Sequence, residues 1–136
     1  DLIYASHVIE YFNREEVKDV LNEWIRVLKP NGKLRLAVPN FEAMVNLYLN
    51  LGVSLNQFLG PLYGEMPMSG EKIYHRTTYD YDVLYDLLES LGLKDIHRYD
   101  WRKTSHAEFD DHSQAYIPHM DKESGTLISL NVEAIK

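Results

Sequence analysis

Short apolar runs alternate along the chain with longer stretches in which apolar residues recur every three or four positions. The short runs are typical of buried strands, and they cover residues 1–5, 34–38, 94–101 and 127–135. The first run turns polar at Ser6 and His7. The last run alternates strictly, which predicts a strand with one apolar face and one polar face.

Helical spacing predicts three strong helices, each with a capping signal ahead of it. Asn13, with Glu16 three residues later, fits a capping box, and this first helix must end before Pro30. Asn40 begins the second helix, which ends at Gly52, and Asp80 or Asp82 begins the third. The apolar stripes predicted to face the core are Val17, Val20, Leu21, Trp24, Val27 and Leu28; then Phe41, Met44, Val45, Tyr48 and Leu49; then Val83, Leu84, Leu87, Leu88 and Leu91.

The remaining segments are weaker in pattern. The pattern over residues 55–62 predicts a short helix, and a long loop follows it up to Tyr79. Residues 102–125 are polar and irregular. Strands that alternate with helices indicate an α/β fold with a parallel sheet and helices on its faces. Because no helix separates the last two strands, we expect them to be antiparallel neighbours.

The composition fits one soluble globular domain, and the charge narrows the function classes. The chain has 136 residues, of which 45% are hydrophobic and 26% charged. The net charge of -7 argues against non-specific binding to nucleic acid or to an anionic membrane. The absence of cysteine excludes disulfides and thiolate metal sites and is compatible with the cytoplasmic location that we expect.

Four blocks of the sequence resemble the second half of class I S-adenosylmethionine-dependent methyltransferases of the type 11 family. They are DLIYASHVIEYF, RVLKPNG, LLESLGLKDIHRYDW and TLISLNVEAIK, with Asn31 standing where the family has a glycine. The resemblance implies a partial Rossmann-like methyltransferase sheet with flanking helices. In it, the predicted strands correspond to the family's strands four, five and six, which are parallel, and seven, which is antiparallel.

The resemblance also implies a site at the ends of the first two strands, since ligands of open α/β sheets lie beyond the carboxyl ends of the strands. His7 is the candidate catalytic base. The candidate cofactor-binding residues are Ala5, Ser6 and His7. The candidate substrate-binding residues are Glu10, Tyr11, Pro39, Asn40, Tyr74 and His75. Family members often have histidine at the position of Tyr11.

The sequence departs from the family in its cofactor-binding half. None of its seven glycines follows a strand in a GxG pattern, and the chain begins without methionine. We therefore expect residues 1–136 to be a single partial domain that lacks the glycine-rich half. The full-length protein would transfer a methyl group from S-adenosylmethionine to a small-molecule acceptor, whereas this chain would bind the cofactor weakly or not at all and would itself be inactive.

Two alternatives remain open on the sequence. The first strand would be an unpaired sheet edge, so the chain could be a non-catalytic assembly module that forms a homodimer through this strand or through uncovered helical faces. The polar loop over residues 102–125 could instead hold a metal ion, although a lid over the substrate or a plain polar cover explains it as well. The residues concerned are His106, Asp110, Asp111, His112 and His119.

Overall fold

The computed structural model describes residues 1–136 and shows helices packed on a mixed four-stranded sheet. The strands are β1 (Leu2–Ser6), β2 (Lys33–Pro39), β3 (Met66–Met68), β4 (Glu71–Ile73), β5 (Lys94–Arg98), β6 (Tyr116–Ile117), β7 (Thr126–Leu127) and β8 (Ser129–Ile135). The helices are α1 (Glu16–Val27), α2 (Phe41–Asn50), α3 (Leu59–Tyr63) and α4 (Tyr81–Ser90). No helix is both long enough and apolar enough to cross a membrane.

The main sheet has the strand order β1-β2-β8-β5. β1 and β2 are parallel, whereas β8 runs antiparallel to both β2 and β5. The predicted α/β class with a sheet of parallel and antiparallel strands is confirmed, as is the antiparallel pairing of the last two predicted strands. β1 lies at one edge of the sheet, because β2 is its only neighbour.

The helix starts follow the predicted caps. The Asn13 side chain accepts a hydrogen bond from the backbone N–H of Glu16 at 2.8 Å, and the Asn13 N–H donates to the Glu16 carboxylate at 3.1 Å, which completes the capping box. Asn40 caps α2 and Asp80 caps α4 in the same way, each through the N–H three residues on. These local contacts confirm the predicted starts of α2 and α4, whereas the Asn13 capping box lies two residues ahead of Glu15, the residue that precedes α1.

The core lies between the sheet and the helices α1 and α4. It is a cluster of 15 buried residues centred on Leu21, Leu84 and Leu88 from the helices and on Leu36 and Val132 from the sheet. Each fully buried leucine contributes about 1.5–3 kcal/mol of hydrophobic stabilisation. A second, smaller cluster packs α2 against the loop segments, and it comprises Met44, Leu47, Phe58, Ile117 and Ile128.

The predicted apolar stripes were too wide. The residues predicted to face the core that lie exposed instead are Val27, Phe41, Tyr48, Leu49 and Val83. The largest error concerns α2, whose buried residues are Met44 and Leu47, because α2 packs on the smaller cluster and not on the sheet. A helix that buries so narrow a face leaves most of its apolar residues in contact with solvent.

Two further segments differ from the prediction. The expected long loop before Tyr79 contains a hairpin of β3 and β4, whose turn residues Ser69 and Gly70 both have positive φ, as tight hairpin turns require. The strand predicted over residues 94–101 ends at Arg98 and is interrupted near Asp95, which has a φ of 49°. Both features depend on individual backbone conformations that apolar spacing does not show.

The polar face of β8 is buried rather than solvated. Ser129, Asn131 and Glu133 are 3%, 3% and 7% exposed, because the loop over residues 102–125 and neighbouring side chains cover them. Glu133 forms ion pairs with Lys33 at 2.8 Å and with Arg35 at 2.9 Å. Burial alone would raise the pKa of Glu133, but the hydrogen bonds from these two cations outweigh it and hold that pKa below its usual range.

Candidate functional site

The carboxyl ends of β1 and β2 and the beginning of β8 lie side by side at one end of the strands. Ser6, the last residue of β1, is in register with Ala37 of β2, and Pro39 at the end of β2 is in register with Ser129 at the start of β8. His7 and Asn40 follow directly after the first two strands. The sequence therefore brings its polar strand ends together at one place, which we call the strand-end site.

His7 lies at the centre of the strand-end site in an uncommon backbone conformation. Its φ is +54°, and its backbone N–H donates to the Ala37 carbonyl at 2.8 Å. The imidazole Nε2 lies 3.0 Å from the Ser129 hydroxyl, and Nδ1 lies 3.4 Å from the Glu10 carboxylate. Left-handed backbone at a residue other than glycine is typical of functional sites, since the surrounding contacts must hold it in place.

Glu10 is a fully buried carboxylate without a hydrogen-bond donor. Its side chain is 0% exposed, and neither carboxylate oxygen has a hydrogen-bond partner. Besides His7, it faces His75, whose Nε2 lies 3.6 Å from Oε1. The Tyr79 hydroxyl is also buried without a partner, and burial, followed by the charge of Glu10, raises the pKa of Tyr79 to about 12. Glu10 therefore lies behind His7 and not on an open surface.

His75 is held against the site by the segment around α3. Its Nδ1 lies 2.9 Å from the Pro61 carbonyl, and its ring occupies the space where a side chain at Gly64 would begin. Tyr11 packs edge-on against the His75 ring, with 4.7 Å between ring centroids, and donates to the Gly64 carbonyl at 2.6 Å. Burial lowers the pKa of His75 and exceeds the opposing effect of the nearby Glu10 carboxylate. Gly64 is thus required here both for its φ of 55° and for the close approach of the ring.

The loop over residues 102–125 covers the strand-end site and is attached to β1 by Asp111. The Asp111 carboxylate accepts hydrogen bonds from Tyr4 at 2.6 Å, from Ser6 at 3.2 Å and from the backbone N–H of Ser113 at 2.7 Å. Burial would raise the pKa of Asp111, but these hydrogen bonds together hold it below the usual value. His106 also stacks on Tyr4, with 3.9 Å between ring centroids.

A chain of hydrogen bonds fixes the orientation of Ser129. The Asn131 carboxamide donates through Nδ2 to the Ser113 carbonyl at 2.9 Å, so its Oδ1 faces Ser129. The Ser129 hydroxyl donates to that Oδ1 at 2.8 Å. Neither Ser129 nor Asn131 was among the predicted site residues, although the polar face of the alternating last strand is the signal that could have identified them.

Two grooves adjoin the strand-end site. One, of about 490 Å³, lies under the covering loop and is lined by residues that include Pro61, Asp111 and His112. The His112 ring centroid is 5.4 Å from that of His7, although His7 itself does not line this groove. The other, of about 440 Å³, lies along α2 and is lined by residues that include Asn40 and Arg98.

The structure brings some of the predicted site residues together and separates others. His7, Glu10, Tyr11 and His75 form one cluster. Ser6 is paired with the covering loop, Ala5 belongs to the core, and Pro39 is buried at the neighbouring strand end. Asn40 caps α2 and faces the second groove, and Tyr74 is 45% exposed. No three histidine or acidic side chains are placed to hold a metal ion, so the histidines of the covering loop do not form such a cluster.

Comparisons with known proteins agree with the resemblance seen in the sequence. Residues 1–36 match the family model of the methyltransferase domain. The whole chain is similar to the crystal structure of a SAM dependent methyltransferase from Archaeoglobus fulgidus, with a TM-score of 0.52 and 14% identity, and it covers 59% of that chain. No curated protein sequence matches. The resemblance to class I S-adenosylmethionine-dependent methyltransferases is thereby confirmed, by sequence over residues 1–36 and by fold over the whole chain.

Proposed function

We propose that the protein takes part in S-adenosylmethionine-dependent methyl transfer to a small-molecule acceptor, and that residues 1–136 supply the acceptor side of the site. The observation that carries this proposal is the placement of His7 at the carboxyl end of β1, between the Ser129 hydroxyl and the Glu10 carboxylate. The match to the methyltransferase domain includes both His7 and Glu10. We also propose that β1, β2, β5 and β8 correspond to strands four, five, six and seven of the family's sheet.

The residues of this chain do not fit a complete cofactor site. The Ser6 hydroxyl already donates to Asp111, Ala5 is buried in the core, and the His7 ring has Nε2 hydrogen-bonded to Ser129 and Nδ1 facing the buried Glu10 carboxylate. These residues fit at most one wall beside a bound cofactor. We therefore expect this chain to bind S-adenosylmethionine weakly or not at all.

The chain's own residues have three roles in the proposed reaction. We assign proton exchange with the acceptor to His7, because its imidazole is an ionisable ring directly after the carboxyl end of β1. Asp111 holds the covering loop over the site, which keeps water from it. Tyr11 and Gly64 fix the position of His75 beside Glu10. Each role is to position a group or to move a proton, which is most of what methyl transfer needs from a protein.

The test of the proposal compares the natural protein, made from its complete reading frame, with its His7→Gln variant. The assay measures release of S-adenosylhomocysteine from S-adenosylmethionine in the presence of small-molecule acceptors, chosen as a set on which the wild type shows turnover. We expect His7→Gln to lower the rate at least about 100-fold, the usual effect of removing a general base. The control is His97→Gln, because His97 is 55% exposed and lies on β5 outside the strand-end site. Equal rates for wild type and His7→Gln would contradict the proposal.

Cofactor binding by residues 1–136 is a separate measurement. Calorimetric titration with S-adenosylhomocysteine should give weak binding or none. Binding in the low micromolar range would show that these residues suffice for the cofactor, or that a partner copy completes the site.

A second candidate function is assembly through β1. β1 lies at the edge of the sheet, and Leu2 is 43% exposed, so its free backbone groups can pair with another chain. We propose a homodimer formed through this strand. Light scattering over a range of protein concentrations tests it, and a stable monomer at the highest concentration would contradict it.

A further inference from the structure

Hydrogen bonds determine which ring nitrogen of His7 carries a proton. The Ser129 hydroxyl donates its single hydrogen to Asn131, whose own orientation is fixed by its bond to Ser113. Ser129 can therefore only accept from His7, which places an N–H on Nε2 at 3.0 Å. In a neutral imidazole the other nitrogen is then an acceptor. That nitrogen, Nδ1, faces Glu10 at 3.4 Å.

The same reasoning applies to His75. The Pro61 carbonyl can only accept, so the contact of 2.9 Å places an N–H on Nδ1 of His75. In the neutral ring Nε2 is then an acceptor, and it faces the same Glu10 oxygen at 3.6 Å. Three acceptors, one from each of Glu10, His7 and His75, therefore converge without a donor among them.

A convergence of buried acceptors is unfavourable unless a further proton is present. An unpaired buried polar group costs about 1–3 kcal/mol, and more if it is charged. Glu10 is 0% exposed, and both of its oxygens lack a donor. One proton placed between Glu10 and either ring would convert two facing acceptors into a hydrogen bond.

We propose that Glu10, His7 and His75 form one buried proton-binding unit, which holds a proton beyond those of two neutral histidines, and that Glu10 is the positioning residue that couples the rings. The inference rests on the proposed function and deepens it: the unit as a whole, and not His7 alone, is the group that exchanges a proton with a methyl acceptor. The covering loop completes its surroundings through His112, which lies beside the His7 ring.

Tyr11 and Tyr79, whose pKa values are raised by burial and also by the charge of Glu10, do not supply the missing donor. Tyr11 donates its hydroxyl hydrogen to the Gly64 carbonyl. The hydroxyl of Tyr79 is buried without any partner, so it does not reach the carboxylate. The proton therefore resides on the unit itself.

Nuclear magnetic resonance tests the unit without cofactor or acceptor. Protein labelled with ¹⁵N in histidine and ¹³C in glutamate shows which ring nitrogens and which carboxyl groups carry protons at neutral pH. We expect one extra proton in the wild type, seen as a doubly protonated His7 ring or as a protonated Glu10 carboxyl. An ionised Glu10 beside two singly protonated rings would overturn the proposal.

The variant Glu10→Gln sharpens the test. Its carboxamide N–H₂ supplies two donors to the two ring acceptors, so the extra proton should be lost and both rings should become singly protonated. The matched control is Glu42→Gln, because Glu42 is 62% exposed and distant from both rings in the sequence and on α2. If the wild-type spectrum places the extra proton on a ring, unchanged ring protonation in Glu10→Gln would also overturn the proposal. If that variant does not fold, the wild-type spectrum alone decides.

These outcomes are separable from those of the proposed function. Loss of methyl transfer in His7→Gln together with an ionised Glu10 would uphold the function and reject the unit. An extra proton on the unit in a protein without methyl transfer activity would do the reverse.

Discussion

Replacing Asp111 with asparagine should release the covering loop from β1. Asparagine keeps one oxygen that can accept from Ser6 and from the Ser113 N–H, but its amide nitrogen cannot accept from Tyr4. The bond that is lost is the short one, at 2.6 Å, which is typical of a hydroxyl donating to a charged carboxylate.

The magnitude follows from that one bond. A hydrogen bond to a charged group is worth about 1.5–3 kcal/mol, and each 1.4 kcal/mol corresponds to a factor of ten in an equilibrium constant. The population in which the loop is open should therefore rise about 10- to 150-fold in Asp111→Asn. Global stability should fall by no more than the same free energy, because the sheet and the main core do not depend on this contact.

Hydrogen exchange followed by mass spectrometry measures the effect, since amide exchange in the loop follows the open population. The control is Asp110→Asn, because Asp110 is 57% exposed and forms only a surface ion pair with Lys122, worth about 0.2–1 kcal/mol. Equal exchange in the two variants would refute the reasoning. The pKa of Asp111 is depressed in the folded state, so the stabilisation is present at neutral pH and is lost as the pH falls through that depressed value.

Three further predictions concern stability, and urea unfolding checks each. Leu21→Ala should cost about 2.7–5 kcal/mol, since Leu21 is 0% exposed in the main core, and a loss below about 1 kcal/mol would contradict the assigned packing. Gly64→Ala should cost more than Gly52→Ala. Both glycines have positive φ, where a new side chain costs about 1–2 kcal/mol, but only at Gly64 does that side chain also displace the His75 ring. Equal losses would refute the close approach of the ring to Gly64. Glu133→Gln should cost about 3–5 kcal/mol at neutral pH and remove part of the acid dependence of stability. The depressed pKa of Glu133 stabilises the folded state above the pKa of the unfolded state, and this stabilisation is lost as the pH falls through the folded pKa. An unchanged dependence of the free energy of unfolding on pH would contradict this.

Features encoded by neighbouring residues could be predicted from the sequence. The caps at Asn13, Asn40 and Asp80 join residues three positions apart, so the sequence contains all of their partners. The alternation over residues 127–135 likewise gave the strand and its polar face. The parallel and antiparallel directions of the strands followed from the order of strands and helices along the chain, because short connections allow only a few arrangements of these elements.

Features made by distant residues could not be predicted. His7 and Ser129 are 122 positions apart, and Tyr4 and Asp111 are 107 apart, so only the folded chain shows that they meet. Asp111 was considered as a metal ligand, whereas it holds the loop on β1. The narrow buried face of α2 was missed for a related reason, because the helix packs on loop residues whose position the sequence pattern does not indicate.

The central place of β8 bears on how the chain folds during synthesis. Arg35 of β2 and Glu133 of β8 are partners across the sheet but lie 98 positions apart, and closing such a loop costs about 4 kcal/mol of chain entropy. β1, α1 and β2 can associate early, whereas β2 and β5 have no shared neighbour until β8 enters between them. Insertion of β8 is thus expected to limit the folding rate, and the species that waits for it exposes two open strand edges to other nascent chains.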